Sequence, residues 1–321
     1  MVIIYNPTAG NRRVHRLWRV LDILAANGVR IEVLRTERAG DAQRLARAAA
    51  EGGARLVVAA GGDGTIAEVA NGLLGTPATL GVIPLGTANV LAHEYALPFA
   101  PRAVAAALAF GRTRLLWPGL AEGGGPLALP AASVPAPSTP APSTPAPSTP
   151  AAAAAEPTRL FVQMMGVGFD ADVVRRLPLG LKKVLGRGAY VWQTLRELAR
   201  YEFPPVTLRL DGVAVEAVSA IVTKGRLYGG RYLLAPEADS GARGFSVVLF
   251  EQAGWRAALR GAIALPLGRL GAIAGVRRVR AREIEFLGDP PMAAQTDGDP
   301  AGRAPRLVRD AAQPIPLVVS G

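Results

Sequence analysis

Apolar and polar positions along residues 1–112 switch between two periods. Val2–Tyr5, Arg30–Leu34, Arg55–Ala60 and Leu80–Ile83 are short runs dominated by apolar side chains, with the length and composition of buried strands. Between them, Val14–Asn27 repeats Leu17, Val20, Leu21 and Leu24 at helical spacing and ends beside Gly28. Asp41–Glu51, Thr65–Leu74, Ala88–Tyr95 and Arg102–Phe110 read as further helices. Strand and helix taking turns in this way predicts a parallel sheet covered on both faces. Functional loops then lie at the carboxyl ends of the strands.

Beyond residue 112 short strands dominate. Thr113–Leu120, Arg159–Val167, Val206–Leu210, Val213–Val222, Tyr232–Ala235, Phe245–Phe250, Val279–Phe286 and Leu317–Val319 read as strands, and Leu179–Tyr201 and Trp255–Leu270 as helices. Asp211-Gly212 between two apolar alternations is a two-residue hairpin signal. The second half is therefore expected to be mostly antiparallel β. From Glu122 to Pro157 the chain runs three times through APSTP between Gly-rich and Ala-rich stretches. It lacks the large apolar side chains that a core needs and reads as a disordered insert. It is either an overgrown hairpin loop, whose length costs stability only logarithmically, or an interdomain linker. The expected organisation is an α/β domain over 1–112, to which 301–321 returns, and a second domain over 113–300 carrying the insert at 122–157.

Composition narrows the function without deciding it. Half of the 321 residues are hydrophobic, enough for two cores. The absence of cysteine excludes disulfides and thiolate metal sites and fits a reducing, cytoplasmic compartment. The opening MVIIYNPTAG reads as a first strand and not as a signal peptide. No apolar window reaches the roughly 18 residues that cross a bilayer. A formal charge of +11 points to anionic partners: nucleotide phosphates, nucleic acid or an acidic lipid surface. No nucleic-acid motif accompanies it, so nucleic acid is not an expected partner.

Candidate chemistry concentrates in the loops that follow the predicted strands. Gly61-Gly62-Asp63-Gly64-Thr65-Ile66-Ala67 follows the third. Its glycines allow a sharp turn and close approach of a ligand. Thr65 is placed to cap the next helix, whose N-terminal amides suit a phosphate. An aspartate beside phosphate needs a bridging cation, so Asp63 is a candidate to orient Mg²⁺ or a water network. Asn6-Pro7-Thr8-Ala9-Gly10 follows the first strand, Thr36 the second, and Pro84-Leu85-Gly86-Thr87-Ala88-Asn89 the fourth. All four converge on one crevice, and none is a Walker A loop or a GxGxxG fingerprint.

Taken in order, these loops resemble the three nucleotide loops of the diacylglycerol kinase catalytic-domain family, which includes bacterial soluble lipid kinases and sphingosine kinases. Gly166-Val167-Gly168-Phe169-Asp170-Ala171, Tyr228-Gly229-Gly230, Ala235-Pro236-Glu237-Ala238 and Thr296-Asp297-Gly298-Asp299-Pro300 follow in the family's order. The similarity covers the chain apart from the APSTP insert. It implies a Rossmann-like α/β domain of the NAD kinase and diacylglycerol kinase type, a C-terminal β-sandwich, and a catalytic cleft between them. By that resemblance Asn6 to Gly10, Thr36, Gly61 to Ala67, Gly86, Thr87 and Asn89 bind ATP. Asp63 and Asp170 belong to a polar network around the metal. Asp297 and Asp299 match the family's late Asp-Gly-Glu, whose glutamate is the proposed proton acceptor. The implied activity is Mg²⁺-assisted transfer of the ATP γ-phosphate to the hydroxyl of diacylglycerol or a related lipid alcohol, at an anionic membrane surface, with a homodimer left open.

Three departures bear on activity. Asp299 stands where the family has Glu, Val90 where the third loop usually has Asp, and Arg243 where the stretch Ala238–Gly244 usually has an aspartate of a regulatory Mg²⁺ site. They keep open a catalytically weak nucleotide-binding or lipid-binding regulator. A NAD kinase shares GGDGT but is expected to carry Asn-Glu where this sequence has Asn89-Val90. Asp297-Gly298-Asp299, taken alone, also fits a solvated turn. Lys224 faces either phosphate or solvent, and His15 and His93 read as surface or boundary residues without metal-ligand spacing. Lys182, Lys183, Arg187 and Arg196 in one predicted helix, and Arg256, Arg260 and Arg269 in another, suit either an anionic lipid surface or a helix packed on the sandwich.

Overall fold

The computed structural model describes residues 1–9, 13–125, 158–176, 200–288 and 292–321. Gly10, nearly all of the APSTP insert, and the predicted helix with Lys182, Lys183, Arg187 and Arg196 lie outside the described residues.

The N-terminal half runs β1 (Val2–Tyr5), α1 (Val14–Ala26), β2 (Glu32–Arg35), α2 (Asp41–Glu51), β3 (Leu56–Gly61), α3 (Asp63–Leu73), β4 (Thr79–Pro84), α4 (Val90–Glu94), α5 (Pro101–Phe110) and β5 (Arg112–Leu116). Strands β2-β1-β3-β4 are parallel neighbours. The late strand Ile315–Val319 then lies parallel to β4 and antiparallel to β5, so the chain's far end completes this first sheet. Alternate residues serve opposite faces. Ile4, Val57, Ala59 and Leu80 join the core under α2 and α3, while Ile3, Val58, Ala60 and Ile83 join the one under α1 and α5. Burial on both sides is why these strands are unbroken apolar runs.

The second half forms two six-stranded antiparallel sheets. One is ordered Val213–Ala217, Val206–Leu210, Glu283–Leu287, Leu307–Asp310, Gly119–Glu122, Thr158–Phe161; the other Val276–Ala281, Phe245–Phe250, Ser219–Thr223, Met164–Gly168, Ala293–Thr296, Asp299–Arg303. Phe161, Leu208, Phe286 and Val308 from the first meet Met165, Val222 and Val247 from the second in one core, which makes the pair a sandwich. Asp211 and Gly212 both have positive φ, as a primed hairpin turn requires.

Four predicted strands are in fact eight. Thr113–Leu120 breaks at Trp117-Pro118, Arg159–Val167 at Val162-Gln163, Val213–Val222 at Val218, and Val279–Phe286 at Arg282. At each break the chain leaves one sheet for another. Where both pieces face a core, the apolar pattern continues across the crossing, so periodicity does not register it. Two predicted helices are shorter: Ala88–Tyr95 is helical only over Val90–Glu94, and Trp255–Leu270 only to Ala264, with a separate 3-10 turn at Leu270–Ala272. Phe169–Arg176, to which the sequence pattern assigns no element, is a helix.

Candidate active site

The loops after β1, β3 and β4 are held together by contacts that larger residues would prevent. The amides of Leu85 and Gly86 donate to the Gly61 carbonyl at 2.9 and 3.2 Å. A Cβ on Gly86 would lie 2.5 Å from the Gly62 Cα, and one on Gly61 would lie 2.5 Å from Thr65 Oγ1. Asn6 Nδ2 donates to Thr65 Oγ1 at 3.0 Å, and Asn6 Oδ1 accepts from the Thr8 amide and hydroxyl. Thr65 thus ties the first loop to the second and does not cap α3, whose N-cap is Gly62 with no side-chain cap bond. Thr36 is buried at the end of β2, its amide donating to Tyr5 O at 3.0 Å. Pro7, Ala9, Gly64 and Ala67 are half-buried and Thr8 and Thr87 exposed. Ile66 is buried in the sheet-helix core, with its amide bonded to Gly62 O.

Three carboxylates meet at this edge. Asp63 Oδ1 accepts from the Leu91 amide at 3.3 Å, so it joins the second loop to the start of α4. Burial pushes the Asp63 carboxyl up to about 6, against the pull of the amides of Leu91, Val90 and Asn89. Asp297 and Gly298, both at positive φ, make the tight turn between Ala293–Thr296 and Asp299–Arg303. The Asp297 carboxylate accepts the amides of Val162, Gln163 and Met164 at 2.8, 2.8 and 3.0 Å. The strand break at Val162-Gln163 supplies two of those donors. Burial pushes Asp297 up to about 7, the three amides oppose the rise, and the nearby charge of Asp63 adds to it. Asp299 is exposed, and its carboxylate lies against the backbone of Gly64, where a Cβ would come within 2.5 Å of Oδ2. Residues from opposite ends of the chain therefore share one site.

Asp170 stands behind the turn. It accepts the Tyr228 hydroxyl and, at 2.9 Å, Gln295 Nε2, and Gln295 Oε1 accepts the Gly298 amide at 2.8 Å. These bonds all lie within the sandwich and brace the Asp297-Gly298-Asp299 turn. Burial raises the Asp170 pKa. Among the described residues no group of three His, Cys, Asp or Glu side chains could by itself hold a metal. Asp63 and Asp297 are hard oxygen donors whose ionisation is opposed by burial, and for Asp297 also by the charge of Asp63. Of the two carboxylates expected at a metal, Asp63 lies among the loops while Asp170 is bonded to Tyr228 and Gln295, and both Asp297 oxygens accept backbone amides, so a Mg²⁺ ion here would need phosphate and water for most of its ligands.

Beside the third loop lies a cleft of about 350 Å³ lined by Arg13, Arg16, Thr87, Asn89, His93, Phe99 and Arg231. Arg13 donates to the Gly86 carbonyl. Arg231, from the Tyr228-Gly229-Gly230 hairpin of the other half, donates to His93 Nδ1 at 3.4 Å. Asn89 Nδ2 donates to Gly86 O at 2.7 Å, while its Oδ1 is buried without a hydrogen-bond partner. Sequence reasoning missed the three arginines. Arg13 and Arg16 had a signal: basic residues three apart, where the first loop enters α1. Arg231 had only its place after Gly229-Gly230.

The expectation for Lys224 needs correction, while His15 and His93 are surface and boundary residues as expected. Lys224 faces neither phosphate nor solvent: it is fully buried and donates to Ala242 O, Gly244 O and Asp310 Oδ1 at 2.9, 2.8 and 2.7 Å. Val90 packs with Met164, Ile221 and Leu234 where the two halves meet. Arg243 lies over the Trp117 ring at 4.6 Å, a cation where the regulatory metal site would have an anion. His15 is exposed, and His93 packs on Phe99 with ring centroids 4.9 Å apart.

The family described as "Diacylglycerol kinase catalytic domain" matches residues 1–117, and the one described as "YegS C-terminal NAD kinase beta sandwich-like domain" matches 163–320. A "Probable lipid kinase YegS-like" of Pseudomonas putida is 31% identical over 242 residues, 74% of this chain and 69% of that protein. The chain belongs to the YegS-like lipid kinase family. A second such relative, from Xanthomonas campestris pv. campestris, is 29% identical over 88% of this chain and 85% of its own length. The fold matches the crystal structure of a putative diacylglycerol kinase from Bacillus anthracis, with a TM-score of 0.71 at 20% identity over 99% of this chain and 94% of that one. At that identity the likeness concerns the fold. The two family matches fall on the α/β half and the sandwich half, and Asp63 and Asp299 come one from each.

Proposed function

We propose that this YegS-like protein transfers the γ-phosphate of ATP to the hydroxyl of diacylglycerol or a closely related lipid alcohol, with Mg²⁺. The observation that carries the reading is the meeting of Asp299 with Gly64, which sets a carboxylate from the sandwich against the nucleotide-loop half. Three features favour a nucleotide there. Glycines at 61, 62 and 86 let the second and third loops pack backbone against backbone beside the N-terminus of α3, whose first-turn amides suit a phosphate. Arg13, Arg16 and Arg231 line the adjoining cleft and complement a polyphosphate. Asn89 Oδ1 offers a buried, unpartnered acceptor to a ligand hydroxyl or amine.

In this reading the arginines and loop amides align the triphosphate and oppose the charge that spreads over the transferring group. Bound Mg²⁺ would neutralise phosphate oxygens. Asp63 keeps the second and third loops in register, and Asp297, pinned by three amides, fixes the turn that carries Asp299. Asp299 accepts the lipid hydroxyl proton as the oxygen-phosphorus bond forms and the bond between the γ-phosphorus and the ADP oxygen breaks. The shorter side chain, relative to glutamate, is offset by placement directly against Gly64. No helix among the described residues is long and apolar enough to cross a membrane; the proposed substrate is what would bring the enzyme to a bilayer surface.

The test is incubation with γ-labelled ATP and a panel of lipid alcohols in mixed micelles, with Mg²⁺ or with EDTA. Label in phosphatidic acid that depends on Mg²⁺ and is lost in Asp299→Ala is expected. Nucleotide binding with no transfer to any lipid would overturn the reading in favour of a binding regulator.

A further inference from the structure

The connection between Phe245–Phe250 and the edge strand Val276–Ala281 is far larger than a hairpin needs. It contains the helix Trp255–Ala264 and the 3-10 turn Leu270–Ala272. Its inner side is accounted for: Leu265 and Leu270 pack with Ile221 and Val248 on the outer face of the second sandwich sheet. Its outer side is not. Trp255, Ile263 and Leu267 are 53%, 56% and 64% exposed, an uncommon concentration of large apolar side chains on one short stretch. A shallow groove of about 420 Å³ opens among Ile263, Leu267, Arg260 and Arg269.

Charge says what covers this surface. From Gln252 to Arg280 the sequence carries six arginines and no aspartate, glutamate or lysine. Arg256, Arg260 and Arg269 are exposed around the apolar tip. An apolar patch ringed by arginines, with no carboxylate in the segment, complements a surface that is negative outside and apolar beneath. A second copy of this patch would bring like charges together, which disfavours self-association.

We propose that the helix Trp255–Ala264 and the turn after it form a docking surface for an anionic phospholipid bilayer. Trp255, Ile263 and Leu267 enter the headgroup and upper acyl region while Arg256, Arg260 and Arg269 meet lipid phosphates. The outer face of the sheet that carries this segment also receives Val90 from the start of α4, so the segment and the third loop's helix share one core. The proposal rests on exposure and charge and does not depend on the assignment of Asp299.

The experiment is co-sedimentation of the full chain with vesicles of pure phosphatidylcholine or of phosphatidylcholine with 30 mole per cent phosphatidylglycerol. Expected is binding to the anionic vesicles that weakens with salt. In Arg256→Gln/Arg260→Gln it falls roughly 25-fold, about fivefold per arginine, and in Ile263→Glu/Leu267→Glu it is lost. Transfer to lipid dispersed in detergent micelles stays unchanged in these variants, so a failed kinase reading and a failed docking reading give different results. Brominated lipid should quench wild-type fluorescence, and Trp255→Phe should remove most of that quenching; this readout does not depend on the charge variants folding well. Equal binding to neutral and anionic vesicles, binding untouched by both double variants, or a concentration-dependent dimer broken by Leu267→Glu without vesicle binding would overturn the proposal.

Discussion

Replacing Gly64 with alanine should separate catalysis from stability. The residue lies in the first turn of α3 outside the left-handed region, and the added Cβ would come 2.5 Å from Asp299 Oδ2 with no other close contact beyond that carboxyl group. Ordinary contact begins at 3.4 Å, so the carboxylate must retreat by about 0.9 Å. It is the far end of an exposed side chain and can move at little cost. Alanine is also the better helix former, by up to about 0.8 kcal/mol, so Tm should hold or rise slightly. A displacement on the order of 1 Å at a reacting group costs about 100-fold in rate. The expected variant folds, keeps its affinity for ATP and loses kcat by about two orders of magnitude, measured by coupled ADP release with diacylglycerol micelles beside calorimetric melting. Wild-type kcat within threefold, in a variant with unchanged Tm, would refute the claim that Asp299 must sit against Gly64 to act.

Other predictions follow from the carboxylates and the joint between the halves. The Asp297 pKa is raised from 3.8 to about 7, so the folded state holds this proton longer than the unfolded chain and stability falls as pH rises through that window. At 1.36 kcal/mol per unit this is about 4 kcal/mol, and partial exposure reduces it to about 2; unfolding free energies from urea titrations at pH 4 and 8 should differ less, by that amount, in Asp297→Asn. Glu94 is buried and accepts from the Arg226 amide, the Arg226 Nε and the Leu227 amide at 2.9, 2.9 and 3.1 Å. Glu94→Ala should lower stability by about 2 kcal/mol, less than a fully buried pair because Arg226 is half-exposed, and should split the melting curve as the two halves uncouple. Lys224→Met fills the same volume but strips Asp310 of its cation, leaving it only the Gly244 amide, and leaves two carbonyls without this donor; a loss of about 3 kcal/mol is expected in denaturant titration.

The parallel sheet was legible because its strands are buried on both faces and its helices are amphipathic, two strong periodic signals. The glycine loops were legible because close backbone approach admits few alternatives. The sheet-to-sheet crossings were not, since Val162-Gln163 and Val218 sit inside runs that stay apolar on both sides of the break. The crossing at Val162-Gln163 is also what presents amides to Asp297, so part of the site was hidden with it. Asp297-Gly298 announced a tight turn, and the structure keeps that turn while burying its carboxylate; local sequence treated the two as alternatives. Lys224 was unreadable because its partners, Ala242, Gly244 and Asp310, are distant in the chain, and two of them contribute only carbonyls. Arg231 reaches the cleft through a hairpin whose docking on α4 depends on Glu94 and Arg226, a pairing that no local pattern encodes.

The most direct test of the central claim is a single-turnover measurement, by rapid quench, of label passing from enzyme-bound ATP to diacylglycerol in wild type and Asp299→Asn. The account predicts an unchanged dissociation constant for ATP and a chemical step slower by about 10²- to 10⁴-fold, the range for removing a positioned proton acceptor. An unaltered transfer rate in Asp299→Asn would contradict it.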